Sequence, residues 1–377
     1  MKRGWVVVGA AGALAVLATC IRELPAAGAA EAPAYTDHNR LLVYRDTSGG
    51  EYAVKTAADW ANRRAHILAA MQLVMGPLPG PERRVPLDVH VVEEISTDKF
   101  VRRKLSFASE AGDRVPAYLL IPRGLNGRTA AVLCLHQTTK IGKAEPAGLG
   151  GNPNLHFAAH LAERGYVTLA PDYPNFAEHS FDVYGKGGYG SATMKAIWDN
   201  MRAVDLLQSL REVDPDRIGA IGHSLGGHNT LFTAAFDERI KVAVSNCGFT
   251  AFPAYYKGNL TGWSHKGYMP RIAAVYNKDP KQMPFDFPEV LAAIAPRAVL
   301  ASAPLRDSNF EVSGVRSSIA AAMPVFELLG VPDKLAANYP DSAHDFPPDA
   351  RTVAYDWIDR WLKNPRTGSA GSEEGNP

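Results

Sequence analysis

Cysteine and long apolar runs are both scarce in this chain of 377 residues, and each scarcity excludes a class of protein. Three cysteines, Cys20, Cys134 and Cys247, are too few and too scattered for the disulfide framework of a small secreted domain. We predict that Cys134 and Cys247 lie in buried strands as small apolar side chains. The longest apolar run falls short of the ~20 residues of a membrane-spanning helix, so no stable membrane span is expected.

An excess of charge of either sign is also missing, because 40 Lys and Arg residues face 39 Asp and Glu residues. The formal net charge is only +1, and the basic residues form no dense run that would follow a phosphate backbone. Both observations argue against a nucleic-acid partner.

The first 30 residues have the three parts of a secretory signal peptide in order. Lys2 and Arg3 precede an apolar run from Trp5 to Ala18, and the small-residue stretch 26–30 offers a cleavage site. A membrane anchor is the alternative interpretation. The residues before Cys20 resemble a bacterial lipoprotein box, apart from a threonine directly before the cysteine, so lipid attachment is a second alternative. We expect a signal peptide at 1–30 and an exported protein, either periplasmic or secreted.

Most of the remaining chain alternates between strand patterns and helix patterns. This alternation predicts the α/β fold class, with right-handed crossovers and a mostly parallel sheet that has helices on both faces. Ligands then bind beyond the carboxyl ends of the strands. The predicted strands are 101–108, 117–122, 130–136, 166–172, 218–222, 242–247, 298–303 and 335–339. The predicted helices are 59–75, 155–164, 191–210, 225–235, 313–329 and 350–362.

Three other segments surround or interrupt this predicted domain of residues 101–363. Residues 31–100 are expected to form a helical extension packed on the core. Residues 249–290 break the alternation and are rich in aromatic side chains, which predicts an insertion over the site. Those aromatic side chains either stack on a sugar or an aryl ester, or form a small core of the insertion itself. The tail, 364–377, is rich in Gly, Ser and Glu and is expected to be disordered.

The most specific motif is Gly222-His223-Ser224-Leu225-Gly226, which follows a predicted strand and begins a predicted helix. In that context a G-x-S-x-G sequence is typical of a nucleophile elbow. The sharp turn lifts the serine clear of the sheet, and the two glycines remove Cβ clashes. Ser224 is therefore the candidate nucleophile.

A serine hydroxyl needs a base within hydrogen-bond reach and a carboxylate that orients the base. In this type of fold the chain order is Ser, acid, His. His344 follows the last predicted strand and is the candidate base, while Asp307 follows strand 298–303 and is the candidate acid. A turn-stabilising aspartate is the non-catalytic interpretation of Asp307. The alternative acids are Glu311, Asp279, Asp286 and Asp341.

The oxyanion of acyl transfer needs two backbone donors, usually the NH after the nucleophile and one from the loop after the third core strand. Leu225 supplies the first, and Gln137 is the candidate for the second, with Thr138 as the alternative.

Histidines near this catalytic edge do not have the spacing of a metal site. His223 and His228 flank a turn instead of sharing a helical face, and no HExxH pattern accompanies them or His136. We expect no catalytic metal. For His223 we predict hydrogen bonding around the elbow, and for His228 the packing of a helix.

Taken together, these segments resemble bacterial α/β-hydrolases of the dienelactone hydrolase and acetyl xylan esterase type. The resemblance covers roughly 68–362 and implies an α/β-hydrolase fold, a triad of Ser224, Asp307 and His344, and no cofactor. Dienelactone hydrolases proper use a cysteine nucleophile, so Ser224 shifts the expectation toward ester hydrolysis. The matching segments are Leu135-His136-Gln137-Thr138, Pro171-Asp172-Tyr173-Pro174, 194–200, 222–228, 301–307 and His344-Asp345-Phe346-Pro347.

The resulting expectation is an exported serine esterase for carboxylic esters, among them acetyl or other carbohydrate-linked esters. A serine peptidase of the same fold is one alternative, but such enzymes usually carry a large N-terminal propeller, for which about 100 residues before the core are too few. A non-catalytic binding protein that keeps the fold is the other alternative. The intact order of Ser, Asp and His argues against it.

Overall fold

The computed structural model describes residues 33–363. The predicted signal peptide, Cys20 with its lipoprotein-like context, and the predicted disordered tail lie outside the described residues. Within 33–363 no helix is both long enough and apolar enough to cross a membrane.

In this range the chain forms eleven strands and eight α-helices, which alternate as the sequence predicts from residue 100 onward. The strands are β1 (Val43–Arg45), β2 (Glu51–Ala53), β3 (His90–Ser96), β4 (Phe100–Glu110), β5 (Asp113–Pro122), β6 (Thr129–Leu135), β7 (Val167–Pro171), β8 (Val213–His223), β9 (Ile240–Asn246), β10 (Ala298–Ser302) and β11 (Leu335–Asn338). The helices are α1 (Ala57–Met75), α2 (Phe157–Glu163), α3 (Ala192–Ser209), α4 (Leu225–Phe236), α5 (Arg271–Ala274), α6 (Phe287–Ile294), α7 (Val312–Leu328) and α8 (Pro348–Ile358).

One sheet of nine strands positions everything else, in the order β11-β10-β9-β8-β6-β7-β5-β4-β3. The six strands from β7 to β11 in this order run parallel, whereas β3, β4 and β5 pair antiparallel at the other edge. Strands β1 and β2 form a separate antiparallel pair. The predicted α/β class with a mostly parallel sheet is therefore confirmed.

Both faces of the sheet are covered, and strand β6 shows how. Its alternate residues Ala131, Leu133 and Leu135 pack into a large cluster with α1, α3, α4, α6 and α7. The residues between them pack into a second cluster with α2 and α8. Successive side chains of a strand point to opposite faces, so a strand buried on both faces is apolar at every position. This is why the uninterrupted apolar runs predicted these strands correctly.

The segment before residue 100 holds more than the predicted helix. Helix α1 begins with a capping box between Thr56 and Asp59 and ends before Gly76, whose φ is 91°. Strands β1, β2 and β3 also lie in this segment, and β3 extends the main sheet by pairing with β4. All seven residues of β3 are exposed, so neither alternation nor an apolar run marks it in the sequence. The segment predicted as a helical extension thus contains one α-helix and three strands.

The predicted insertion, 249–290, forms short helical turns and α5, and its last residues begin α6. Phe252, Trp263, Phe285 and Phe287 are buried in the same cluster as α3 and α4. Tyr256, by contrast, is 55% exposed. Most of the aromatic side chains named in the sequence analysis therefore anchor the insertion to the core.

Candidate active site

Ser224 occupies the turn between β8 and α4, with φ 54° and ψ −116°. A non-glycine residue rarely adopts a positive φ, and such strain recurs where a side chain must be presented for function. A Cβ on Gly222 would lie 2.1 Å from the carbonyl oxygen of Gly226, and one on Gly226 would lie 1.9 Å from that of Leu135. Neither position accepts a side chain. The strand, turn and helix predicted around this motif are confirmed.

His344 and Asp307 meet beyond the carboxyl ends of β10 and β11. The Nδ1 of His344 donates a hydrogen bond of 2.8 Å to Oδ2 of Asp307. The other carboxylate oxygen, Oδ1, accepts from the backbone NH groups of Asn309 and Phe310, at 2.8 and 3.1 Å. Burial alone raises the pKa of Asp307, but the hydrogen bond and charge of His344 and the two NH donors outweigh it, so its pKa lies below the ordinary value. The carboxyl group is therefore ionised at neutral pH.

The alternative acids are all engaged elsewhere. Asp279 accepts from the NH of Lys281, and Asp286 accepts from the NH groups of Phe252 and Phe287. Glu311 accepts from the hydroxyl of Ser313, and Asp341 forms an ion pair with Arg306. Among the described residues, Asp307 is the acid whose carboxylate meets His344.

The histidine loop lies over the elbow. The rings of His344 and His223, the residue before Ser224, have centroids 4.8 Å apart. Within 33–363 no hydrogen bond joins the Ser224 hydroxyl to His344. Catalytic hydrogen bonds are often long in free enzymes and shorten when substrate binds. The structure thus brings the loops of all three sequence-predicted side chains to one edge of the sheet.

The end of β6 touches the elbow, because Gly226 has room for no more than a hydrogen against Leu135. Gln137 and Thr138 follow directly. In the described part of the chain, the NH groups of Leu225, Gln137 and Thr138 donate to no protein acceptor. His136 steadies this loop: its Nδ1 donates to the carbonyl oxygen of Gln137 at 2.6 Å, and its Nε2 accepts from the NH of Tyr173 at 3.0 Å.

The two histidines of the elbow are buried and neutral. Burial, with the nearby His344 as a smaller cause, lowers the pKa of His223 to about 3. Its Nδ1 accepts a hydrogen bond of 2.6 Å from the Asn246 amide, as the predicted role at the elbow requires. Burial likewise lowers the pKa of His228 to about 3, and its ring packs against Trp263 at 4.7 Å. The predicted packing role of His228 is confirmed.

A cleft of about 370 Å³ opens beside the loop that follows β6. Its walls are the segments 138–140 and 175–177. Behind them Asp172 is buried and joins the two segments, because its carboxylate accepts from both the NH and the Nζ of Lys143, at 2.8 and 2.6 Å, and from the NH of Glu178. The sequence analysis did not single out Lys143. The insertion closes one side, since the hydroxyls of Tyr268 and Thr138 lie 2.6 Å apart.

Two groups of side chains have donor atoms close enough together to hold a metal ion, among the residues that the structure describes. The first is Cys247 with Asp307 and His344, whose carboxylate and ring already form a hydrogen bond. The second is Asp113 with His179 and Asp199, and there the Nζ of Lys195 lies 2.5 Å from oxygens of both carboxylates. A lysine ammonium therefore already supplies the positive charge of the second group.

Comparison with known proteins shows the same combination of fold and motif. The family model described as "Glucuronyl esterase, fungi" matches residues 172–330. The chain is 28% identical to the hydrolase YtaP of Bacillus subtilis over 297 residues, which is 75% of this chain and 95% of YtaP. A solved glucuronoyl esterase from Solibacter usitatus superimposes with a TM-score of 0.68 at 20% identity, over 87% of this chain and 98% of that one.

This chain is an α/β-hydrolase, and it is a carboxylic ester hydrolase. It is also 25% identical to a 4-O-methyl-glucuronoyl methylesterase of Phanerochaete carnosa, over 48% of its own length and 49% of the methylesterase, so it spans about half of that relative. The esterase class expected from the sequence is confirmed. The likeness to dienelactone hydrolases, the export and the roles of individual residues stay predictions.

Proposed function

We propose that this protein is an exported serine esterase that hydrolyses carbohydrate-linked carboxylic esters through an acyl-enzyme on Ser224. The observation that carries the proposal is the hydrogen bond of 2.8 Å between His344 and Asp307, in a loop that lies over the elbow of Ser224. A carboxylate, an imidazole and a strained serine in the chain order Ser, Asp, His are the three groups that acyl transfer needs.

In the first half of the reaction, His344 Nε2 takes the proton of Ser224 as the hydroxyl oxygen attacks the ester carbonyl. The NH groups of Leu225 and Gln137 donate to the oxyanion that forms. Collapse of the tetrahedral intermediate breaks the bond to the alcohol, which leaves with the proton from His344. A water molecule then repeats the sequence on the acyl-enzyme, releases the acid and restores the Ser224 hydroxyl.

The charges around His344 suit this cycle. Asp307 is ionised, so it stabilises the imidazolium that forms after proton transfer. His223 is neutral at its pKa of about 3, so no second cation lies beside that imidazolium. A charged neighbour at 4.8 Å would instead oppose the proton transfer.

For the substrate, we infer an ester carried by a saccharide, with alkyl esters of glucuronic acid as the first compounds to test and acetylated xylan as the second. The family model and the methylesterase relative support the glucuronate ester. The cleft beside Thr138 supports a substrate larger than a simple acetate ester, because about 370 Å³ lies within the usual volume of a small-molecule site.

The test is the hydrolysis of methyl glucuronate, acetylated xylan and p-nitrophenyl acetate by the wild type and by Ser224→Ala. We expect Ser224→Ala to lower kcat about 10⁶-fold, as for other serine hydrolases that lose the nucleophile. Ser48→Ala is the control, because its hydroxyl bonds only to Asp46 in a remote exposed turn. Ester hydrolysis that survives Ser224→Ala overturns the proposal. Cleavage of peptide anilides without cleavage of any ester makes the protein a peptidase instead.

The export part needs a separate measurement. The N-terminal sequence of the mature protein, recovered from the periplasm or the medium, is expected to begin after the stretch 26–30. An intact N-terminus on cytoplasmic protein would refute export while leaving the esterase proposal untouched.

A further inference from the structure

The carboxylate of Glu145 connects the oxyanion loop to a second loop. Glu145 is 3% exposed. Its Oε2 accepts a hydrogen bond of 2.9 Å from the Gln137 amide, and its Oε1 accepts one of 3.0 Å from the NH of Asn152. A Cβ on Gly151 would lie 2.4 Å from that Oε1, and Gly151 has φ 73°, so only glycine leaves room for the carboxylate. The contact is built into the local sequence.

The second loop in turn holds the residue after His344. The side-chain amide of Asn152 donates to Oδ1 of Asp345 at 2.8 Å, and that of Asn154 donates to Oδ2 at 2.6 Å. Each asparagine thus occupies one carboxylate oxygen. These bonds join parts of the chain that are 193 and 191 residues apart in sequence.

The backbone of Asp345 is fixed from the elbow side as well. Its carbonyl oxygen accepts from the Asn246 amide at 3.2 Å and from the thiol of Cys247 at 3.4 Å. The same Asn246 amide nitrogen lies 2.6 Å from His223. The residue next to the proposed base is therefore held through both its carboxylate and its carbonyl group.

We propose that Glu145, Asn152, Asn154 and Asp345 are positioning residues, which hold the proposed oxyanion donor Gln137 and the proposed base His344 at a fixed separation. The four residues form the relay, a name used below for this set. The inference rests on the proposed function, since it assigns no group that touches the substrate. A misplacement of about 1 Å at a reacting group costs about 100-fold in rate, so a relay of this kind has room for a large effect.

A specific kinetic signature follows from the two ends of the relay. His344 must return a proton to an alkoxide leaving group, whereas p-nitrophenolate leaves without one. Loss of Asn152 and Asn154 loosens only the His344 end, so it slows alkyl esters more than p-nitrophenyl esters of the same acyl group. Loss of the Gln137 contact loosens the oxyanion end, which both esters need equally.

The experiment measures kcat/KM for an alkyl ester and a p-nitrophenyl ester of one acyl group, with active sites counted by fluorophosphonate labelling. For Asn152→Ala/Asn154→Ala we expect a loss of about 10- to 100-fold on the alkyl ester, and at least about fivefold less on the p-nitrophenyl ester. Glu145→Gln is expected to slow both esters, because it disturbs both ends. The matched control is Gln208→Ala, which removes an amide hydrogen bond to the Pro215 carbonyl far from the site.

Folding effects are separated by a second series. Asp345→Ala is expected to cost no more in the Asn152→Ala/Asn154→Ala background than the pair costs alone, because groups that act as one unit are not additive. Equal losses on both esters by Asn152→Ala/Asn154→Ala, or a lowered Tm with unchanged kcat/KM per labelled site, would overturn the relay. Failure of the esterase proposal is distinct, since the wild type would then show neither labelling nor ester turnover.

Discussion

Replacing Asp307 by asparagine tests the proposed triad at the point where the structure is most informative. The two carboxylate oxygens are not equivalent, because Oδ1 accepts from two backbone NH groups and Oδ2 accepts from His344. In Asp307→Asn the amide oxygen must keep the position of Oδ1, since an amide NH₂ cannot accept from those NH groups. The NH₂ group then faces His344.

A donor facing Nδ1 forces the proton of the imidazole onto Nε2, the nitrogen that should accept the proton of Ser224. The wrong tautomer cannot act as the base. In the serine protease that serves as the standard example, the same change lowers kcat about 10⁴-fold. We expect a loss of that order here, which corresponds to about 5.4 kcal/mol in the barrier, with KM and Tm changed little.

The assay is kcat and KM on p-nitrophenyl acetate for Asp307→Asn beside Asp341→Asn. Asp341 is the matched control, because it is an exposed carboxylate two residues from the loop position of Ala343 and pairs with Arg306. Its loss is expected to change kcat less than about twofold, as for an ordinary surface ion pair. Activity of Asp307→Asn within tenfold of the wild type would refute the tautomer argument, and Asp307 would then be a turn-stabilising residue.

Two further predictions concern stability. Gly226→Ala is expected to cost more unfolding free energy than Gly112→Ala, because the first places a Cβ 1.9 Å from a carbonyl oxygen while the second has nothing within 4 Å and pays only for its φ of 79°; equal urea midpoints would contradict this. His179 donates to Asp113 at 3.0 Å, and although burial alone lowers its pKa, this hydrogen bond outweighs burial and raises it. Its contribution to stability is therefore full below a pH of about 6.5, the ordinary value, and is lost as pH rises through the raised pKa. The difference in unfolding free energy between wild type and His179→Gln should shrink between acid and alkaline pH, and a constant difference would count against it.

The sequence was sufficient to predict the parts of the fold whose burial is visible in local patterns. Strands such as β6 and β9 are apolar at every position, and the elbow has a motif of its own. Strand β3 was missed because all its residues are exposed, and α6 because its apolar residues follow the aromatic insertion without a break. Burial against distant elements, which decides both cases, has no signature in a short window.

The candidate site divides in the same way. Ser224, Asp307 and His344 each follow a predicted strand, so the rule that strand ends form the site found all three. The contacts of Glu145 with Gln137 and of Asn154 with Asp345 follow no such rule. They depend on how two loops meet, and the second joins residues 191 positions apart. A sequence signal for the first existed, since Gly151 has the spacing of a residue that leaves room, but a lone glycine in a glycine-rich stretch has many explanations.

The absence of space at Gly222 and Gly226 also determines where new specificity can arise. Any side chain at either position collides with a backbone carbonyl, so mutation cannot tune the reacting groups from within the elbow. The insertion offers the opposite situation, because Tyr256 and Val275 are about half exposed and pack less tightly. A directed-evolution library aimed at other esters is therefore best placed in 249–290, with the elbow left untouched as a constant part of the catalyst.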